Sequence, residues 1–110
     1  MAVRAVNKLV RDNIPSMIIE SGEMPNYRIL GDDDEFLEAL NKKLLEEVAE
    51  YQESKNLEEL ADILQVIDAI AEVIGGGQKE LEYLMDEKAI ERGRFKARMF
   101  LESIDDMKRS

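Results

Sequence analysis

The residues able to do chemistry are concentrated in one acidic stretch, LLEEVAEYQESKNLEELADILQVI, residues 44–67. Glu47 and Glu50 stand three apart, and so do Glu59 and Asp62 beyond a short break. On a helix that spacing puts both members of a pair one turn apart on a shared face. Two such helices folded back on each other would bring four carboxylates together, an all-oxygen cage suited to Mg²⁺ or Mn²⁺. The 110-residue chain has no cysteine and no histidine. Thiol chemistry, disulfides, zinc fingers and Glu-x-x-His di-iron sites are thereby excluded.

Acidic residues are common on solvated helix faces, so direction decides. At about 100° per residue, the apolar stripe of the first long helix contains Phe36, Leu37, Leu40, Leu44, Val48 and Tyr51. Glu47 falls inside that stripe, Glu50 lies at its border, and Glu46 and Glu53 project to the polar side. In the second long helix Leu57, Leu60, Leu64, Ile67 and Ala71 form one face. Ile63, Val66, Ala69, Ile70 and Val73 form another, and Asp62 shares its direction with Val66, Ala69 and Val73, with Glu59 beside it. A buried carboxylate costs several kcal/mol unless it is paired or holds a cation. Lys42, Lys43 and Lys55, the basic residues of this hairpin, project away from the stripe on the same wheel. Each carboxylate has a plainer reading too. Glu59 sits where the N3 partner of an Asn56 cap belongs, Glu50 could be solvated, and Asp68 and Glu72 read as solvated or interfacial.

The elements that would position these groups are helical. DNIPSMIIESG predicts a short helix with Pro15 in its first turn and Gly22 just past its end. Tyr27 to Leu30 reads as a connector with some extended character, and one of Asp32, Asp33 or Asp34 caps the next helix, which runs to about Ser54. SKN is a tight turn, and Asn56 followed by Glu59 has the form of a capping pair. The second long helix ends at Gly75 to Gly77, and a further one spans about Gln78 to Arg92, stopping at Gly93. The tail from Arg94 has apolar residues without a clean period. The expected fold is all-α, a helical bundle of two long antiparallel helices with shorter flanking helices, in a single domain over residues 1–110.

Charge narrows the partners. Lys and Arg number 15 against 25 Asp and Glu, a net charge of −10, which argues against a nucleic acid polymer or an anionic membrane as ligand. Residues 12–87 carry 21 acidic and 5 basic side chains, whereas residues 1–11 and 88–110 together carry 10 basic and 4 acidic ones. Basic flanks around an acidic centre would suit a phosphate-rich ligand held through metal ions. No run is apolar enough to span a bilayer and no signal peptide is apparent, so a cytoplasmic protein is expected.

EEVAE followed by ELAD resembles the Glu-Glu-x-x-Glu … Glu-x-x-Asp signature of MazG-like nucleotide pyrophosphohydrolases, an all-α superfamily. NKLVRDNIP and KAIERGRF are similar to segments of its phosphoribosyl-ATP pyrophosphohydrolase-like branch, so the resemblance runs from Asn7 to about Leu101. The gap between Glu50 and Glu59 is shorter than in many relatives. The resemblance implies hydrolysis of a nucleoside triphosphate between its α- and β-phosphates, in a house-cleaning role, with Glu47, Glu50, Glu59 and Asp62 as Mg²⁺ ligands. Glu46 is then a candidate for positioning or deprotonating the attacking water, against plain exposure. Lys8, Arg11, Lys88, Arg92 and Arg94 are candidates for substrate phosphate contacts, against plain surface. The alternatives are phosphoribosyl-ATP hydrolysis in histidine biosynthesis, or a non-catalytic helical assembly module.

A second helix apolar nearly all round must be covered on all sides. One chain of this length has too few helices for that, and a homodimer or higher homo-oligomer is expected.

Overall fold

The computed structural model describes residues 2–106, and these form four helices with no strand among them. The first, α1 (Ile14–Glu20), carries Pro15 in its opening turn, where a missing N–H costs nothing. Gly22 follows at φ +95°, a left-handed conformation that stops the helix. The connector after it, with Tyr27 to Leu30, has no regular structure.

The long helix α2 (Asp33–Ser54) starts where Asp32 accepts a hydrogen bond from the Asp34 N–H at 3.3 Å. Asp33, Asp34 and Glu35 in its first turn favour the positive end of the helix dipole. It ends at Lys55, held in the left-handed conformation at φ 53° and ψ 34°. Asn56 then caps α3 (Leu57–Ile74), its side chain accepting from the Glu59 N–H at 3.0 Å. Because only Lys55 and Asn56 separate them, α2 and α3 fold back antiparallel and pack along their lengths. Gly75 closes α3, and α4 (Gly77–Arg92) begins one residue earlier than its sequence predicts. The residues from Gly93 to Asp106 form no helix or strand; the last four of the tail lie outside the described residues.

The described residues fall into two compact units, one ending at Gln78 and one beginning at Lys79. The first holds the α2–α3 hairpin and the core around Leu40, Val66 and Ala71. Phe36, Leu37, Leu44, Val48 and Tyr51 are half-buried along the same stripe of α2. On α3 the face of Ile63, Val66, Ala69, Ile70 and Val73 is covered, whereas Leu57, Leu60 and Leu64 stand exposed. No described helix is long and apolar enough to cross a membrane.

Candidate metal centre

Glu47 and Glu50 come from the last two turns of α2, and Glu59 from the first turn of α3, so the tight turn delivers all three to one end of the hairpin. One carboxylate oxygen from each lies within 4.8 Å of the other two, a separation at which a single cation could touch all three. The three differ in exposure. Glu47 is buried at 6% exposure, Glu59 is half-buried, and Glu50 is open to solvent.

One counter-charge comes from α2 itself. Lys43 was expected to project off the stripe. Instead it is half-buried, its Nζ 3.3 Å from Glu47 Oε1 and 3.7 Å from Glu46 Oε1. Positions 43 and 47 are one turn apart, and the flexible four-carbon stem of a lysine spans that gap while its amine stays polar-paired. Even so, Glu47 Oε2 and Glu59 Oε2 are both sealed from water without a hydrogen-bond partner. Burial pushes the Glu47 carboxyl above the usual carboxylate range, with Lys43 opposing and Glu50 reinforcing the rise.

Two further cations come from the non-helical segment ahead of α1. Lys8 Nζ donates to Glu46 Oε1 at 3.0 Å, and Arg11 Nη2 donates to Asp62 Oδ1 at 2.6 Å. The Lys8 hydrogen bond holds Glu46 below the usual carboxylate range against the cost of burial. Glu46 in turn raises Lys8, with smaller contributions from Glu50 and Glu47. Asp62, predicted to join the cage, lies outside the group of three and is occupied by Arg11. Its side chain is 38% exposed, less enclosed than its apolar heading on the wheel implies.

Lys88, Arg92 and Arg94 belong to the second unit. Lys88 and Arg92 line a shallow groove on α4 with Leu84, Glu87, Ile90 and Glu91. Arg94, just past the helix, lines another with Asp86, Ala89, Ile90, Gly93 and Lys96.

Five carboxylates, Glu46, Glu47, Glu50, Glu59 and Asp62, are thus set against three cations, Lys8, Arg11 and Lys43. Two negative charges are left over, the charge one divalent cation would balance. The donors are all hard oxygens, which fit a hard divalent cation and ill suit softer metals. Sequence reasoning missed Lys43, although its i, i+4 spacing to Glu47 was visible.

No family model matches the chain, and no solved structure matches it. It is 56% identical over 43 residues to an uncharacterized protein of Mycolicibacterium smegmatis, a match covering 39% of this chain and 43% of that protein. The chain thus matches less than half the length of that curated relative. These comparisons do not bear on the resemblance to MazG-like enzymes, which rests on the motif residues alone.

Proposed function

We propose that this chain is a MazG-like nucleoside triphosphate pyrophosphohydrolase that works with Mg²⁺ or Mn²⁺, cleaving the α–β phosphate bond to release a monophosphate and pyrophosphate. The observation that carries the proposal is the grouping of Glu47, Glu50 and Glu59, in which Glu47 Oε2 and Glu59 Oε2 are buried with no hydrogen-bond partner. Unsatisfied buried oxygens on anionic groups are costly, and a cation is the partner that removes the cost.

In this reading Glu47, Glu50 and Glu59 hold the cation, with Asp62 one turn beyond Glu59 as the fourth ligand. A divalent cation held there would neutralise triphosphate charge and lower the pKa of a nearby water. Glu46, adjacent to Glu47 in the chain, positions or deprotonates the attacking water. Water oxygen bonds to the α-phosphorus as the bond to the bridging oxygen breaks, and pyrophosphate departs with the electron pair. Lys8 and Arg11, already at the acidic end of the hairpin, supply phosphate contacts.

We further propose that a second copy of the chain covers the exposed Leu57, Leu60 and Leu64 and completes a helical bundle. A cytoplasmic setting fits a nucleotide substrate.

A panel of standard and modified nucleotides, phosphoribosyl-ATP among them, tests the reading through pyrophosphate release with Mg²⁺ or Mn²⁺. Turnover on at least one nucleotide, abolished by EDTA and by Glu47→Gln, is expected. Turnover that survives exhaustive chelation rejects the metal mechanism. The exposed leucines of α3 also favour a second reading, a non-catalytic assembly module, for which the panel would show no turnover while divalent ions still raised the melting temperature.

A further inference from the structure

The segment ahead of α1 is tied across the acidic end of the hairpin by one ion pair to each long helix, Lys8 to Glu46 on α2 and Arg11 to Asp62 on α3. We propose that Arg11 is an exchangeable counter-ion of the metal centre: it and a divalent cation compete for Asp62, and the cation's arrival frees the guanidinium for a substrate phosphate. This rests on the metal reading given above and adds an order of events to it.

Geometry supplies the competition. Asp62 follows Glu59 by three residues on α3, so its carboxylate projects one turn along the face that carries a member of the three-glutamate group. Yet Asp62 lies outside that group, and its Oδ1 accepts from Arg11 at 2.6 Å. Asp62 is thus paired with Arg11 one turn along α3 from Glu59, a member of the three-glutamate group. The group itself is more than an acidic patch, because the Glu47 side chain is 8% exposed and its Oε2 has no partner.

The exchange is also easy. The Arg11 side chain is 56% exposed and that of Asp62 38%, and ion pairs so open to water hold weakly. The segment keeps a second tie to the hairpin, since Lys8 Nζ remains 3.0 Å from Glu46 Oε1 on α2. A guanidinium displaced from Asp62 therefore stays at the hairpin end, where its planar fork matches a phosphate. Linkage requires the converse as well. If the cation must displace Arg11, then removing Arg11 strengthens cation binding.

The experiment is Mn²⁺ alone, titrated by calorimetry and by loss of the free-ion electron paramagnetic resonance signal. The proteins are wild type, Arg11→Gln, Asp62→Asn and the double variant, with melting curves confirming that each is folded. Arg11→Gln is expected to bind Mn²⁺ on the order of 3- to 5-fold more tightly, the scale of one exposed ion pair. The Asp62→Asn proteins are titrated to the higher Mn²⁺ concentrations that their weakened binding requires, and in that background the same change is expected to have no effect. Unchanged or weaker binding by Arg11→Gln overturns the proposal. So does an equal gain in both backgrounds, which would be a general field effect rather than competition for Asp62. Wild type that binds no Mn²⁺ rejects the metal reading itself, and a Glu47→Gln control that loses binding shows that reading standing while the competition is judged.

Discussion

Lys43 Nζ lies 3.3 Å from Glu47 Oε1, so the most buried carboxylate among the described residues has a counter-charge on one oxygen while the other, Oε2, has none. The pair half-solves an electrostatic problem. Burial still dominates, and the Glu47 carboxyl titrates above the ordinary carboxylate range.

Glu47→Gln is therefore expected to stabilise the protein in EDTA. A carboxyl whose folded value is raised binds its proton more tightly when folded. Its contribution is most favourable below the unfolded value, 4.5, and is lost as pH rises through the folded one. At neutral pH the charged form is a net cost, and a neutral isostere removes it. The gain should appear in urea melts at pH 7 and vanish at pH 3 to 4. Saturating Mn²⁺ should reverse the ranking, because only wild type then gains from the cation.

Glu46→Gln should go the other way. The Lys8 hydrogen bond lowers this carboxyl, so its stabilisation is present above the unfolded value and is lost as pH falls through the folded one. The pair is largely solvent-screened, and a loss below about 1 kcal/mol at pH 7 is expected. Equal stability of wild type and variant at low pH, beside a difference at neutral pH, is the pattern to look for in paired melts.

Asp62→Asn separates a ligand from a structural residue. Its partner Arg11 is well exposed, and losing that pair should change stability in EDTA by less than about 1 kcal/mol. Divalent-ion affinity and turnover should fall together by orders of magnitude, since a hard anionic oxygen is gone. A variant that lost several kcal/mol yet kept near wild-type turnover once folded would make Asp62 structural.

Leu64→Glu tests the uncovered face of α3. Leu64 is 62% exposed, so a charge there should leave the folded chain intact while dissociating an assembly that buries it. Light scattering across a dilution series should give a dimer mass or more for wild type and a monomer mass for the variant. Leu40→Ala is the contrast, since Leu40 is 3% exposed and its truncation should cost about 2–5 kcal/mol in any state of assembly.

Lys55→Gly should stabilise the turn between α2 and α3. Lys55 has φ 53°, where a Cβ is unfavourable and glycine is not. A gain of about 0.5–1 kcal/mol is expected, less whatever the Lys55 Nζ bond to the Gln52 carbonyl contributes. Chemical denaturation in EDTA is the measurement.

The helices were legible in the sequence because each one starts and stops on local chemistry. Asp32 and Asn56 offer oxygens to nearby backbone N–H groups, and Gly75 ends α3, all decided within a few residues. The burial of Glu47 was legible too, because helical periodicity alone puts it among Phe36, Leu40 and Leu44. The pairing of Lys43 with Glu47 was legible as well: Lys43 follows Phe36 by seven residues, about two turns, and so leaves the backbone beside the stripe rather than away from it. The partners of Glu46 and Asp62 were further out of reach. Lys8 and Arg11 lie 38 and 51 residues away in the chain, and no spacing rule relates a non-helical segment to a helix it meets only after folding. Sequence alone thus determined four helices and an acidic hairpin end. Tertiary structure decided which three carboxylates converge and which of their neighbours already hold a cationic side chain, because ion pairing depends on distances that only the packed chain sets.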